Sequence, residues 1–360
     1  MEKVIKERPG YIIVLTLLIM AAIIALLTSI VQQSFVYQRH VNYAFDQTKA
    51  RLLALSSLEI ALSQLSTVVL EEESQESEKT DDQQKKAEDM LEPVQKWLLK
   101  VLPSINRWQT LTITEEGLEG TIQLYLACEE GKFNLAAFAK GQEFTEQEAG
   151  SKKDEEKGAQ GEASKTPLKA LDDLFKKVHD TSMYEAFKRF MNDYKRMPED
   201  PTELLRIPYF AQLKDRLFTP LKKDTRALFI MDLFTFRPHA TEKVNPWLLT
   251  ASSKALLGIR EKEGALLNEE FVKKIKPQMD WSKDWDSVLA PRYGKNFSAF
   301  DPALQEVFAS AFEAKAFSMV SYCTVGKVTQ RLYAVLEVAE HDKELSPKSV
   351  IFKVTKLYWL

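Results

Sequence analysis

From Tyr11 to Val31 the chain reads YIIVLTLLIMAAIIALLTSIV, with no charge, no glycine and no proline. About 20 such residues at 1.5 Å rise per residue cross the roughly 30 Å hydrocarbon core of a bilayer, so this run constrains every later element. Helical spacing continues beyond it. From Gln32 to Leu70 there is again no glycine or proline, and Leu52, Leu55, Ser56, Leu58, Glu59, Leu62 and Leu65 recur at helical intervals. The pattern predicts one rod of roughly 60 residues, about 90 Å long, with an apolar half followed by an amphipathic half.

The leader, Met1 to Gly10, carries Lys3, Lys6 and Arg8 and ends in glycine. Three readings compete for it. A cleaved secretory signal has an apolar core of about 7–15 residues and a small-residue cleavage site. Here the core is longer, and Gln32, Gln33, Ser34 and Phe35 do not form such a site. A plain signal anchor satisfies the hydropathy. A type IV prepilin-like leader, cut after Gly10 so that Tyr11 becomes the first residue, also accounts for the glycine and for the basic residues before it. Positive charge stays inside, which keeps the leader cytoplasmic and exports the stalk. The glycine alone does not choose among the three.

A chain of 360 residues suffices for a rod and one or two small domains. A net charge of −3 argues against a nucleic-acid partner. A helix-hairpin-helix reading of PTELLRI and KVNPWLL fails because the hairpin glycine is missing and Pro208 occupies that neighbourhood. The four histidines are scattered, with no Cys or His at metal-ligand spacing near any of them. An enzyme needs a nucleophile–base pair, paired carboxylates on a rigid element or a metal site. Ser252 and Ser253 have no nearby histidine, Cys128 has no adjacent base, and there is no glycine-rich loop. The expectation is a non-catalytic protein.

The rest of the chain divides by composition. Glu71 to Asp89 is almost wholly polar, and Lys140 to Lys165 is rich in Gly, Lys, Glu, Gln and Ser; both read as solvated spacers. Between them Leu91 to Leu102 has helical spacing, with Trp97, Leu98 and Val101 as its buried face. Leu111 and Ile113, then Ile122, Leu124 and Leu126, alternate around a Glu116-Gly117 turn and predict a β-hairpin. Leu168 to about Leu217 reads as helical, cut by Pro198, Pro201 and Pro208. Phe317 to Val338 and Val350 to Leu360 return to strand character. The predicted organisation is a leader (1–10), transmembrane helix and amphipathic stalk (11–70), and polar linker (71–90). There follow the first part of a sheet domain (91–139), a charged flexible loop (140–167), an inserted helical domain (168–310) and closing strands (311–360). The fold class is α+β.

Several phrases carry a family resemblance. RPGYIIVLTLLIMAAIIALLTSI and RLLALSSLEIALSQL resemble the leader, membrane helix and stalk of the general secretion pathway protein K family, the large minor pseudopilin of type II secretion systems. EEGKFNL (Glu129 to Leu135) resembles that family's phrase where the strand leaves the sheet and the helical insert begins. PTELLRI (Pro201 to Ile207) and KVNPWLLTASSKALLGI (Lys243 to Ile259) resemble phrases of the insert, and FSMVSYCTVGKV (Phe317 to Val328) with the last strand resembles the closing hairpin. The resemblance implies a pilin-like antiparallel sheet with a large helical insert, in a subunit that supports protein export across the outer membrane. It implies a single-pass inner-membrane protein with a cytoplasmic N-terminus and a periplasmic head. Its implied partners are other minor pseudopilins, a prepilin peptidase, the inner-membrane secretion platform and the membrane itself. The alternatives are a minor pilin of a type IV pilus or another membrane-anchored binding or scaffold module.

The resemblance also brings individual residues into view. Pilins carry a glutamate five residues into the mature helix; counted from Tyr11, that position here is Leu15, as in the K family, and suits a tip or assembly-initiating subunit. The family's insert has an acidic segment thought to supply calcium ligands. The matching place here offers only Asp193, Glu199 and Asp200 in a basic neighbourhood, a sparse oxygen set for that ion. A second acidic spot, DWSKDWD, spans Asp280 to Asp286, and Asn245 and Thr250 survive from a helix-capping phrase. If the insert is an excursion from one sheet, Cys128 and Cys323 lie on strands of that sheet. They then either form a bridge, which needs Cα atoms within roughly 7 Å, or remain two buried thiols.

Overall fold

The computed structural model describes residues 9–68, 95–115, 117–135, 167–179, 183–194, 196, 198, 203, 206, 229–237, 243–260, 272–276, 278–339, 349–350 and 352–360. Helix α1 runs without a break from Pro9 to Leu65, 57 residues or about 85 Å. Proline is tolerated in the first turn because its missing N–H would have no partner there. The rod stops five residues short of the expected Leu70. Thr67–Val68 forms the short strand β1, and the last carbonyl of α1 and the one after it are taken by side chains of a helix at 95–101, α2. Trp97 Nε1 donates to Leu65 O at 3.1 Å, and Lys100 Nζ donates to Ser66 O at 2.8 Å. Trp97, Leu98 and Val101 are buried as the spacing predicts.

The sheet has five strands in the order β2-β3-β6-β7-β9, all antiparallel. Strands β2 (Trp108–Glu115) and β3 (Leu118–Cys128) form the expected hairpin, with Gly117 at φ 81°. Strands β6 (Ala316–Val325) and β7 (Val328–Val338) form the closing hairpin, the short strand β8 (Ser349–Val350) pairs with β1, and β9 (Phe352–Trp359) is the last strand. Between β3 and β6 lie the short strands β4 (Phe133–Asn134) and β5 (Phe234–Thr235), paired in parallel. That interval also holds helices including α3 (Pro167–His179), α4 (Met183–Tyr194), α5 (Ile230–Leu233), α6 (Ala251–Leu256) and α7 (Trp281–Val288). The chain is thus α+β, with the helical excursion returning to complete the sheet it left. The predicted spacer at 71–90 lies outside the described residues, as does nearly all of the one at 140–167.

The second half of α1 lies across one face of the sheet. Ala50, Leu53, Ala54, Ser57, Leu58, Ala61 and Leu65 are buried, at helical spacing. This differs from the expected stripe: Leu52 and Leu55 are exposed, at 57% and 40%. The seam mixes small and large residues: alanines at 50, 54 and 61 alternate with Leu53, Leu58 and Leu65, the last two within the expected stripe. The side chain of Leu53 fills the space over Gly120, 2.5 Å from where a β-carbon on that glycine would stand. In the insert, Trp285 is fully buried among Phe300 (centroids 5.1 Å apart), Phe308 (4.9 Å) and Phe297 (5.6 Å).

Candidate functional site

Two features of the chain bear on function: the bare half of α1, and the charged junction that fixes the insert to the sheet. The first half of α1 projects beyond the sheet with its large apolar side chains exposed from Ile13 to Phe45. Among the described residues α1 is the one helix long and apolar enough to cross a membrane. Leu15, 47% exposed, faces outward in this stretch. Gly10 and Tyr11 lie in the first turn of the helix.

The junction begins where β3 ends. Glu129, Glu130 and Gly131 form a 3-10 turn, and all three are buried. Lys132 Nζ donates to Glu129 and to Ser318 Oγ of β6, the latter at 2.6 Å, and Thr235 Oγ1 of β5 donates to the second oxygen of Glu129 at 2.6 Å. Burial alone would push the Glu129 carboxyl up; the Lys132 ammonium and the hydrogen bonds from Lys132, Thr235 and Ser318 hold it below the usual carboxylate value. Glu130 faces the other way. It pairs with Arg237 at 3.1 Å, and Arg237 also pairs with Glu337 of β7 at 2.9 Å. Glu130 Oε2 accepts from Cys128 Sγ at 3.1 Å and from Ala316 N at 3.3 Å. Burial outweighs these partners and raises the Glu130 carboxyl.

A second clamp centres on Asp232 of α5. Its carboxylate accepts from Tyr125 Oη at 2.8 Å and from Ser252 N at 2.8 Å, while its carbonyl accepts from Thr250 Oγ1. Asn245 and Thr250 cap helices as the resemblance implied. Asn245 Oδ1 accepts from Trp247 N at 3.0 Å, and Thr250 Oγ1 accepts from Ser253 N at 3.2 Å. The phrases EEGKFNL and KVNPWLL meet directly: Asn245 N donates to Glu130 O at 2.7 Å. Ser252 and Ser253, weighed above as nucleophiles, sit at this helix start, and their groups are spent on Phe229 N and Thr250. The whole arrangement positions the insert.

The disulfide alternative is overturned. Strands β3 and β6 are neighbours, yet Cys128 pairs in register with Phe317 and Cys323 with Ile122. Six residues of offset at about 3.4 Å each separate the two cysteines by about 20 Å along the strands, far beyond bridging reach. Both are free and buried.

Of the calcium candidates, Asp193 is exposed near the end of α4, and Glu199 and Asp200 lie outside the described residues. Among the described residues no group of three or more His, Cys, Asp or Glu is placed to hold a metal ion. The carboxylates of DWSKDWD are committed elsewhere. Asp280 caps α7 through Ser282 N and pairs with Lys283 at 2.8 Å, Asp284 pairs with Lys276 at 2.9 Å, and Asp286 accepts from Phe297 N at 2.9 Å. The described donors do not fit a calcium cage. The junction itself was not anticipated as a site. Its one local signal is two glutamates and a lysine directly after an apolar strand, at Glu129, Glu130 and Lys132.

No family model matches the chain, and no curated protein does. A search of solved structures finds similarity to a chain in the crystal structure of the GspK-GspI-GspJ complex from the enterotoxigenic Escherichia coli type 2 secretion system. The identity is 16% and the TM-score 0.35, and the match covers 91% of this chain and 98% of that one. At that identity and score the likeness carries no conclusion about function.

Proposed function

We propose that this chain is a minor pseudopilin, a non-catalytic subunit at the tip of a type II secretion pseudopilus that supports protein export across the outer membrane. The observation that carries the reading is α1 itself. One unbroken helix is bare and apolar over its first half and forms the core of the sheet domain over its second. Such a rod transmits axial displacement from the membrane directly to the head, which suits a subunit that is stacked and pushed.

The reading is supported by the resembling phrases in the family's order and by Gly10 immediately before the apolar run. In it, a prepilin peptidase cuts between Gly10 and Tyr11, and the membrane helix stays in the inner membrane with its N-terminus cytoplasmic and the head periplasmic. Leu15 takes the place of the pilin glutamate. Without that carboxylate the subunit has no charge to set against the N-terminal amine of a neighbour, which favours a terminal position in the stack. Other minor pseudopilins and the inner-membrane secretion platform are its partners. Intact mass of the membrane-extracted protein tests the reading: loss of ten residues with N-methylation of Tyr11 is expected, and a retained Met1 would refute it.

A further inference from the structure

Beyond Phe45, the described residues include seven large hydrophobic side chains that are exposed, and six of them converge. Leu52 and Leu55 lie on the flank of α1; Val354, Leu357, Trp359 and Leu360 lie on or directly after β9, the last strand of the sheet. Register explains the convergence. Val354, Leu357 and Trp359 pair with Leu336, Ala334 and Leu332, which belong to the face that α1 covers. Arg51 of α1 sits 4.7 Å from the Trp359 ring centroid and ties the strand end to the rod. The opposite edge, β2, exposes no large hydrophobic side chain.

Strand β9 has eight residues, no proline or glycine, and one bulge at Thr355; as an edge strand its unpaired side is a template for pairing with another chain on either side of that bulge. Charge narrows the occupant. Strand β9 carries Lys353 and Lys356 and no acidic residue, and Arg51 adds a third cation at its end. On the sheet face away from α1, Lys356 lies opposite Val335 and Lys353 opposite Glu337. An added strand would therefore turn apolar side chains toward Leu52 and Leu55 and acidic side chains toward the lysines.

We infer that the β9 edge, with the exposed flank of α1, is a docking site for an extended segment of a partner chain in which apolar and acidic residues alternate, added as a sixth strand. This goes beyond anchoring and stands whether or not the leader is cleaved.

The test uses the full-length chain in detergent micelles and a fluorescein-labelled ten-residue peptide of alternating valine and glutamate, with a block-ordered peptide of the same composition as control. Anisotropy should show saturable binding of the alternating peptide only. Hydrogen exchange should show new protection in β9 and none in β2. Leu357→Glu and Lys353→Glu, both at exposed positions, should each weaken binding at least tenfold while leaving the thermal midpoint in place. Four results would overturn the inference: no saturable binding, equal binding of the block peptide, protection at β2 or along the bare half of α1, or binding unchanged in both variants. Concentration-dependent self-association that protects β9 without peptide would overturn it in favour of an interface between copies of this chain.

Discussion

Gly131 and Leu248 touch backbone to backbone: a β-carbon built on Gly131 would stand 1.8 Å from the Leu248 carbonyl oxygen. This contact joins the turn that leaves the sheet to the 3-10 turn that begins the insert's capping phrase, and it is flanked by the Asn245 N to Glu130 O bond. Only glycine fits there, so Gly131 fixes how closely the insert sits against the sheet.

Replacing that glycine tests the packing. Gly131→Ala must displace a backbone rather than the end of a side chain, and a loss of about 3 kcal/mol or more is expected. Urea unfolding of the purified chain measures it. A change below about 1 kcal/mol would mean that the insert backs away without cost.

Lys132→Met should be strongly destabilising. The lysine is buried against Glu129, and its removal leaves a buried carboxylate with the Thr235 and Ser318 hydroxyls as its side-chain donors and no cation. Breaking one partner of such a pair costs about 3–5 kcal/mol. Adding Glu129→Gln to the same chain removes the stranded charge and should restore a large part of the loss. A double-mutant cycle reads both.

Stability should depend on pH at both extremes, with opposite causes. Glu129 is held below its usual 4.5, so its contribution is present above that value and is lost as pH falls through the lowered one. Glu130, raised by burial, works the other way, because the folded chain takes up its proton first as pH falls. On the alkaline side, burial pushes the Cys323 thiol from 9.0 up to about 11. Burial, then the Glu130 carboxylate, moves Cys128 in the same direction. The unfolded thiols ionise first, so stability falls as pH rises from 9.0 towards about 11. Urea midpoints across that range should decline, and Cys323→Ser should flatten the decline.

Thiol counting checks the register directly. The unreduced, denatured chain should label at both cysteines, and the native chain should label slowly at each because both are buried. A denatured chain that fails to label would mean that β3 and β6 pair with a different offset.

Processing gives the last prediction. Gly10→Val should leave the full-length chain in the membrane and keep it out of any filament, since the peptidase site next to the bilayer must accept a residue without a side chain. Immunoblotting of membrane and sheared-filament fractions measures it, and normal assembly with the leader attached would remove the prepilin reading.

What could be read from the sequence followed from local periodicity. The apolar run and the 3.6-residue pattern marked the rod, and alternation marked the first hairpin and the strand character of the closing segments; the capping roles of Asn245 and Thr250 came instead from the family resemblance. The periodic signals are local because backbone geometry repeats every few residues. The tertiary structure decided which faces meet. It turned α1 so that Ala50, Leu53, Ala54, Leu58, Ala61 and Leu65 are buried while Leu52 and Leu55 are not. It offset Cys128 from Cys323 by six residues, a register set by pairing along whole strands. It also brought Glu129 to Thr235 and Lys132 to Ser318 across 106 and 186 residues of chain. Contacts at such separations have no local period to betray them; they exist only once the insert has closed back onto the sheet.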